Sequence, residues 1–147
     1  MKLSIAQEYA NKKLTEYGLT QLGWRFAWKP GSLSLHGQCS YRRKLIYLQP
    51  KYTALRAEKE VYNTILHEIA HALCPNQGHN AVWAAKAKEV GCHHVAKRAV
   101  DIKSESEVAD PELMRLFAVK ESHRRICNKE GVSRARKAIR KYLRRLS

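Results

Sequence analysis

The sequence predicts an α+β fold. An N-terminal helix leads into a three-stranded antiparallel sheet, then a helix carrying a histidine motif, a following helix, and a basic helical C-terminal extension. Three observations predict it. Apolar residues recur at helical spacing in the first segment and again from about Thr53. Between these lie three short runs rich in strand formers. Residues 132–147 hold seven Arg or Lys and no acid.

Taken in order, Leu3, Ile5, Ala6, Tyr9, Ala10, Leu14 and Tyr17 form one helical stripe, and Gly18 sits where that helix stops. "WRFAW" ends at Pro30-Gly31, "SLSLHGQCSY" alternates, and "KLIYLQP" ends at Pro50, with turns near Lys29-Pro30-Gly31 and Tyr41-Arg42-Arg43. Val61, Ile65, Ile69 and Leu73 then recur every four residues as a stripe facing the sheet. Cys74 to Gly78 reads as a helix end and loop, and Asn80 to Val90 as a further helix capped by Gly91. Residues 101–112 carry five acids against one lysine and read as a linker. On the last helix Ala135, Ile139, Tyr142 and Leu146 make a narrow apolar stripe. The division is therefore a domain over 1–100 and, over 101–147, an acidic linker followed by the basic extension.

The 147 residues carry 28 Lys or Arg against 13 Asp or Glu, a formal charge of +15. Such a charge repels itself, and a nucleic acid is the commonest partner that relieves it. The four cysteines, Cys39, Cys74, Cys92 and Cys127, form no C-x-x-C pair, which argues against both a disulfide framework and a cysteine zinc ribbon. Neither a signal peptide nor an 18-residue apolar span is visible, so a cytoplasmic monomer without membrane contact is expected, whether in a nucleoid or in a phage's host.

The segment "ILHEIAHALCPNQGHNAVW" concentrates the chemistry. His67 and His71, four apart on a helix, project from one face and can grip one ion, while Glu68 leans toward the same side. This H-E-x-x-H arrangement has a mechanism, zinc binding with the glutamate as general base. Both histidines avoid the 61/65/69/73 stripe. Catalytic zinc takes three protein ligands and leaves a fourth position for water, so His79, His93, His94 and His123 compete for the third place. His79 is favoured, because a five-residue loop ending in Gly78 lets the chain reverse toward the first two. Glu68 is then the catalytic base, and one Zn2+ the cofactor.

"GWRFAW", "GQCSYRRKLIYLQP", "ILHEIAH" and "GHNAVW" together resemble the SprT-like zinc metallopeptidases, from the first helix to about residue 95. The family's Gly-x-Cys is matched by Gly37-Gln38-Cys39, and its following strand by Ile46-Tyr47-Leu48. Its Gly-His-x-x-x-aromatic segment, whose histidine is the third zinc ligand, is matched by Gly78 to Trp83. The resemblance implies a minimal zincin-like fold and a protease for proteins crosslinked to DNA, in DNA repair.

Residues 119–147 hold eleven cations and two acids. As a helix, 133–146 would present Arg134, Arg136, Lys137, Arg140, Lys141, Arg144 and Arg145 to phosphates, with no interleaved acid to pair them. Arg42, Arg43 and Lys44 make a second cluster at a strand turn. The expected partner is single- or double-stranded DNA bound without sequence preference, beside a protein substrate. Two other readings compete: a metalloprotease for one soluble protein target, and a non-catalytic zinc-containing nucleic-acid-binding module. The intact Glu68 speaks against the last, because a structural metal site needs no base.

Overall fold

The computed structural model describes residues 1–30, 36–93 and 110–146. Helix α1 (Leu3–Glu16) is followed by strands β1 (Arg25–Trp28), β2 (Gly37–Ser40) and β3 (Leu45–Leu48). Helices α2 (Pro50–Leu55), α3 (Glu58–Leu73), α4 (Ala81–Glu89), α5 (Pro111–Arg125) and α6 (Lys129–Arg145) complete the chain. No described helix is long and apolar enough to cross a membrane. All four cysteines are free.

The sheet is mixed, which corrects the antiparallel expectation. Its order is β1-β3-β2. β2 pairs antiparallel with β3, Gly37 opposite Leu48, as the tight turn Tyr41–Lys44 dictates. β1 instead runs parallel to β3, with Arg25 opposite Leu45 and Trp28 opposite Leu48. Residues 29–44 give the chain the length that a parallel crossover needs. β3 takes the centre because Ile46 and Leu48 are both fully buried.

That face of β3 meets α1 and α3. Ala6, Ala10, Leu14, Trp24, Ile46, Leu48, Val61, Ile65 and Ile69 share one core, so the predicted stripe of α3 does face the sheet. The other side of α3 packs on α4 through Leu66, Ala70, Trp83, Ala87 and Val90. The predicted helix from Thr53 is two helices, parted where Arg56 turns extended. The carbonyls exposed at that break accept from the Met1 amino group at 3.3, 3.4 and 3.0 Å (Thr53, Ala54 and Arg56). Gly18 and Gly91 end α1 and α4 with φ of 70° and 80°, where the sequence places their caps.

The C-terminal segment is an antiparallel pair, and α5 is an addition to the sequence reading. Residues 101–109 of the expected linker lie outside the described residues, but Pro111 and Glu112 already belong to α5. Asp110 caps that helix by accepting from the Leu113 N–H at 3.2 Å. Its carboxylate also accepts from the Tyr142 hydroxyl at 2.8 and 2.9 Å. Burial, then this carboxylate, pushes the Tyr142 phenol up to about 12. Leu113, Phe117, Ile139 and Leu143 share a core with Leu3 and Ala54, with Trp28 and Tyr142 against it. The pair therefore packs on α1, α2 and the end of β1.

At the α5–α6 turn, a Cβ on Gly131 would lie 2.4 Å from Cγ of the His123 ring. Gly131→Ala should therefore lower stability despite alanine's better helix propensity. Overpacking costs about 1–3 kcal/mol against a propensity gain below about 1 kcal/mol. A thermal melt reads this as a fall of a few degrees; an unchanged midpoint would mean that the ring swings away freely.

Candidate metal centre

α3 carries His67 and His71 one turn apart, and the loop after it returns His79 to the same point. That loop reverses through Asn76 and Gly78, whose φ values of 65° and 59° lie in the left-handed region. Gly78 thus has the role that the sequence assigns it. Asn80 then starts α4 by accepting from the Trp83 N–H at 3.1 Å.

The three Nε2 atoms form a triangle with sides of 3.2 Å (67–71), 3.1 Å (71–79) and 3.1 Å (67–79). Each Nε2 is either an N–H donor or a lone-pair acceptor, so at least one side of the triangle joins two of the same kind and hydrogen bonding cannot satisfy all three contacts together. A cation at their centre can. Zinc–nitrogen bonds of about 2.0–2.1 Å at tetrahedral angles put neighbouring nitrogens about 3.3 Å apart. The donor set fits the ion. His67 and His71 are half-buried and His79 is exposed, so the site opens on the His79 side. Burial, and then the charge of His79, lowers the pKa of His71 and favours the neutral, ligating imidazole.

Trp83 stands behind all three rings. Its indole is 1% exposed, with its centroid 4.8, 5.1 and 4.5 Å from those of His67, His71 and His79. The Gly-His-x-x-x-aromatic spacing thus supplies both the third imidazole and the wall against which all three rings rest.

Glu68 lies on the sheet side of the histidines and is buried. Burial pushes its carboxyl up to about 8, while the Cys39 backbone N–H, hydrogen-bonded to it, works the other way. Gly37 gives it room: a Cβ there would come within 2.8 Å of Glu68 Oε1 and 2.9 Å of its Cγ. The Gly-x-Cys segment therefore matters to Glu68 through one missing side chain and one backbone donor. Burial, then the Glu68 charge, pushes the Cys39 thiol up to about 12, so it stays protonated and is no nucleophile at neutral pH. Gly37→Ala should displace the Glu68 carboxylate. Metal binding should survive, while any activity that uses Glu68 falls on the order of 10²-fold, the effect of a misplacement of about 1 Å. Equal losses of metal and activity would contradict this separation.

Sequence reasoning misses Tyr41. Its hydroxyl donates to the His71 carbonyl at 3.1 Å and accepts from the Asn76 N–H. The β2–β3 turn is thereby pinned to the last turn of α3 and to the loop that aims His79, and only this tertiary contact reveals it. In the same turn Arg42 and Arg43 are exposed, while Lys44 donates to the Leu22 carbonyl at 2.8 Å. His93 is exposed beyond α4, His123 packs against Gly131, and His94 lies outside the described residues.

On α6 the seven predicted cations, Arg134, Arg136, Lys137, Arg140, Lys141, Arg144 and Arg145, are all exposed. At about 100° per residue six of them fill the half of the helix opposite Ala135, Ile139 and Leu143, and Arg136 flanks that stripe about 20° from Leu143. Among the described residues no carboxylate pairs with any of them. The Arg42–Lys44 turn does not join this surface. It lies at the Leu45 end of β3, whereas α5 and α6 pack at the Trp28 end of β1.

The model of the SprT-like family matches residues 4–106, more than two thirds of the chain. The chain belongs to the SprT-like family. SprT-like proteins are in general metallopeptidases, and the family suggests zinc for the three histidines that the fold gathers. The match spans α1, the sheet, α3 and α4, and ends before α5. Searches of curated proteins and of solved structures returned no match.

Proposed function

We propose that this SprT-like protein is a minimal zincin-like endopeptidase that hydrolyses peptide bonds in proteins associated with or crosslinked to DNA. The observation that carries the reading is the convergence of His67, His71 and His79 Nε2, with the buried Glu68 carboxylate on the next residue of the same helix. Zinc, when bound, supplies Lewis acidity that acidifies a water and polarises a carbonyl.

The chain's own residues do the rest. Glu68 accepts the proton of the attacking water and returns it to the leaving amine. The Cys39 N–H and the space at Gly37 hold its carboxylate in place. Trp83 and the Tyr41 hydrogen bond fix the three rings from behind and from the loop. The exposed side of His79 is where a polypeptide reaches the site.

The cationic half of α6 holds nucleic acid by its phosphates and brings attached protein to the enzyme. A cleavage assay on a generic protein substrate, with and without single- and double-stranded DNA and with a chelator control, tests the reading. Chelator-sensitive cutting that DNA stimulates supports it. Cutting indifferent to DNA moves the target to a soluble protein, and no cutting with zinc bound leaves a zinc-containing binding module.

A further inference from the structure

The packing of α5 on α6 places a charge where a helix pair ordinarily places an apolar residue. On α5, Leu113, Phe117, Lys120 and Arg124 lie within about 60° of one another at 100° per residue. The stripe thus begins in the core with Ala54 and Ile139 and ends in two cations. The Lys120 stem is half-buried and its Nζ lies 5.5 Å from the centroid of the Phe117 ring. Burial lowers its pKa, and the charges of Arg136, Arg124 and Lys51 lower it further. Glu121 opposes them, but it pairs with Arg124 at 3.6 Å with both side chains well exposed, a weak contact. Helix α5 packs on both α6 and α2, and among the described residues four cations from these three helices are gathered against one acid. Such a gathering is costly alone and favourable around an anion.

We propose that Lys120, Arg124, Arg136 and Lys51 form a docking point for a backbone phosphate of nucleic acid. The proposal rests on the reading of nucleic acid as partner and extends its surface from α6 alone onto α5 and α2. Continuity decides between a polymer and a free ion. Arg136 belongs to both the cluster and the row of exposed cations on α6, which runs about 16 Å from Arg134 to Arg145 at 1.5 Å per residue. A phosphate held at the seam is followed by others within reach of that row.

The test uses the full chain. Lys120→Met keeps the stem on Phe117 and removes the charge, and Arg124→Gln does the same at an exposed position. Fluorescence anisotropy with single-stranded and duplex oligonucleotides, over a salt series, reads affinity and slope. The double variant should bind several-fold more weakly at about 0.1 M salt, where charges still act over about 10 Å. Its slope of log K against log salt on duplex should fall by about 0.9, the loss of one phosphate contact. Its melting temperature without ligand should match or exceed that of the unaltered chain. Unchanged affinity and slope, while Arg140→Gln with Arg144→Gln weakens binding, overturns the docking point and leaves α6 intact as the nucleic-acid surface. A chain that binds no oligonucleotide at all overturns both readings. In a last arm, inorganic phosphate that raises the melting temperature of the unaltered chain but not of the variant, with oligonucleotide affinity unmoved, marks a free-anion site and overturns the proposal.

Discussion

Replacing Glu68 by Gln should leave zinc bound and reduce peptide cleavage by about 10²–10⁴-fold, the range that general-base catalysis contributes. The two effects separate because the ligands and the base are different groups. The three Nε2 atoms converge without Glu68, so metal affinity measured by a competing chelator should hardly move. His79→Ala, by contrast, removes one side of the triangle and should lose the metal itself. The pH profile gives a second check. Glu68 accepts a proton only when ionised, so turnover should rise as pH passes upward through its pKa. Burial sets that value at about 8 in the protein alone. A dication beside the carboxyl favours the charged form and moves the limb to lower pH. The Glu68→Gln protein should lose this limb. Undiminished cutting by that variant would remove the assigned base, and with it the proposed mechanism.

What the sequence makes legible here follows from the range of each signal. His67 and His71 can be placed together because one helical turn relates them, and His79 because a short loop with Gly78 leaves few places to go. Strand pairing is different. Alternation in "KLIYLQP" says which residues are buried but not which neighbour the strand takes, and so the parallel β1–β3 pairing is illegible. Helix α5 is hidden by its own seam, where Lys120 and His123 stand at positions that face a partner. Its start does carry a signal, since Asp110-Pro111-Glu112 is a cap, a first-turn proline and a first-turn acid, but the surrounding acids make it read as linker. The contacts of Gly37 with Glu68, and of Tyr41 with the His79 loop, join residues 30 or more positions apart. No local pattern encodes them.

Binding to nucleic acid should be lost steeply with salt. If five to seven of the α6 cations each neutralise a phosphate, the duplex slope is about −4.5 to −6.3, at about 0.9 per contact. Between about 50 and 200 mM salt, affinity then falls on the order of 10³-fold, with a shallower fall on single strands. Arg140→Glu with Arg144→Glu should weaken binding and flatten the slope by about two contacts. Both side chains are exposed, so the change should leave stability within about 0.5 kcal/mol, as surface substitutions do. The same variant should bind zinc as tightly as the unaltered chain, because α6 contributes nothing to the triangle at His67, His71 and His79. Oligonucleotides of different sequence but equal length should bind alike, since phosphate contacts carry no base information. A flat salt response would mean that the +15 charge serves something other than a phosphate backbone. Intact cutting of a free protein with impaired cutting of a DNA-attached one, in the charge-reversed variant, is the outcome that ties α6 to substrate delivery rather than to catalysis.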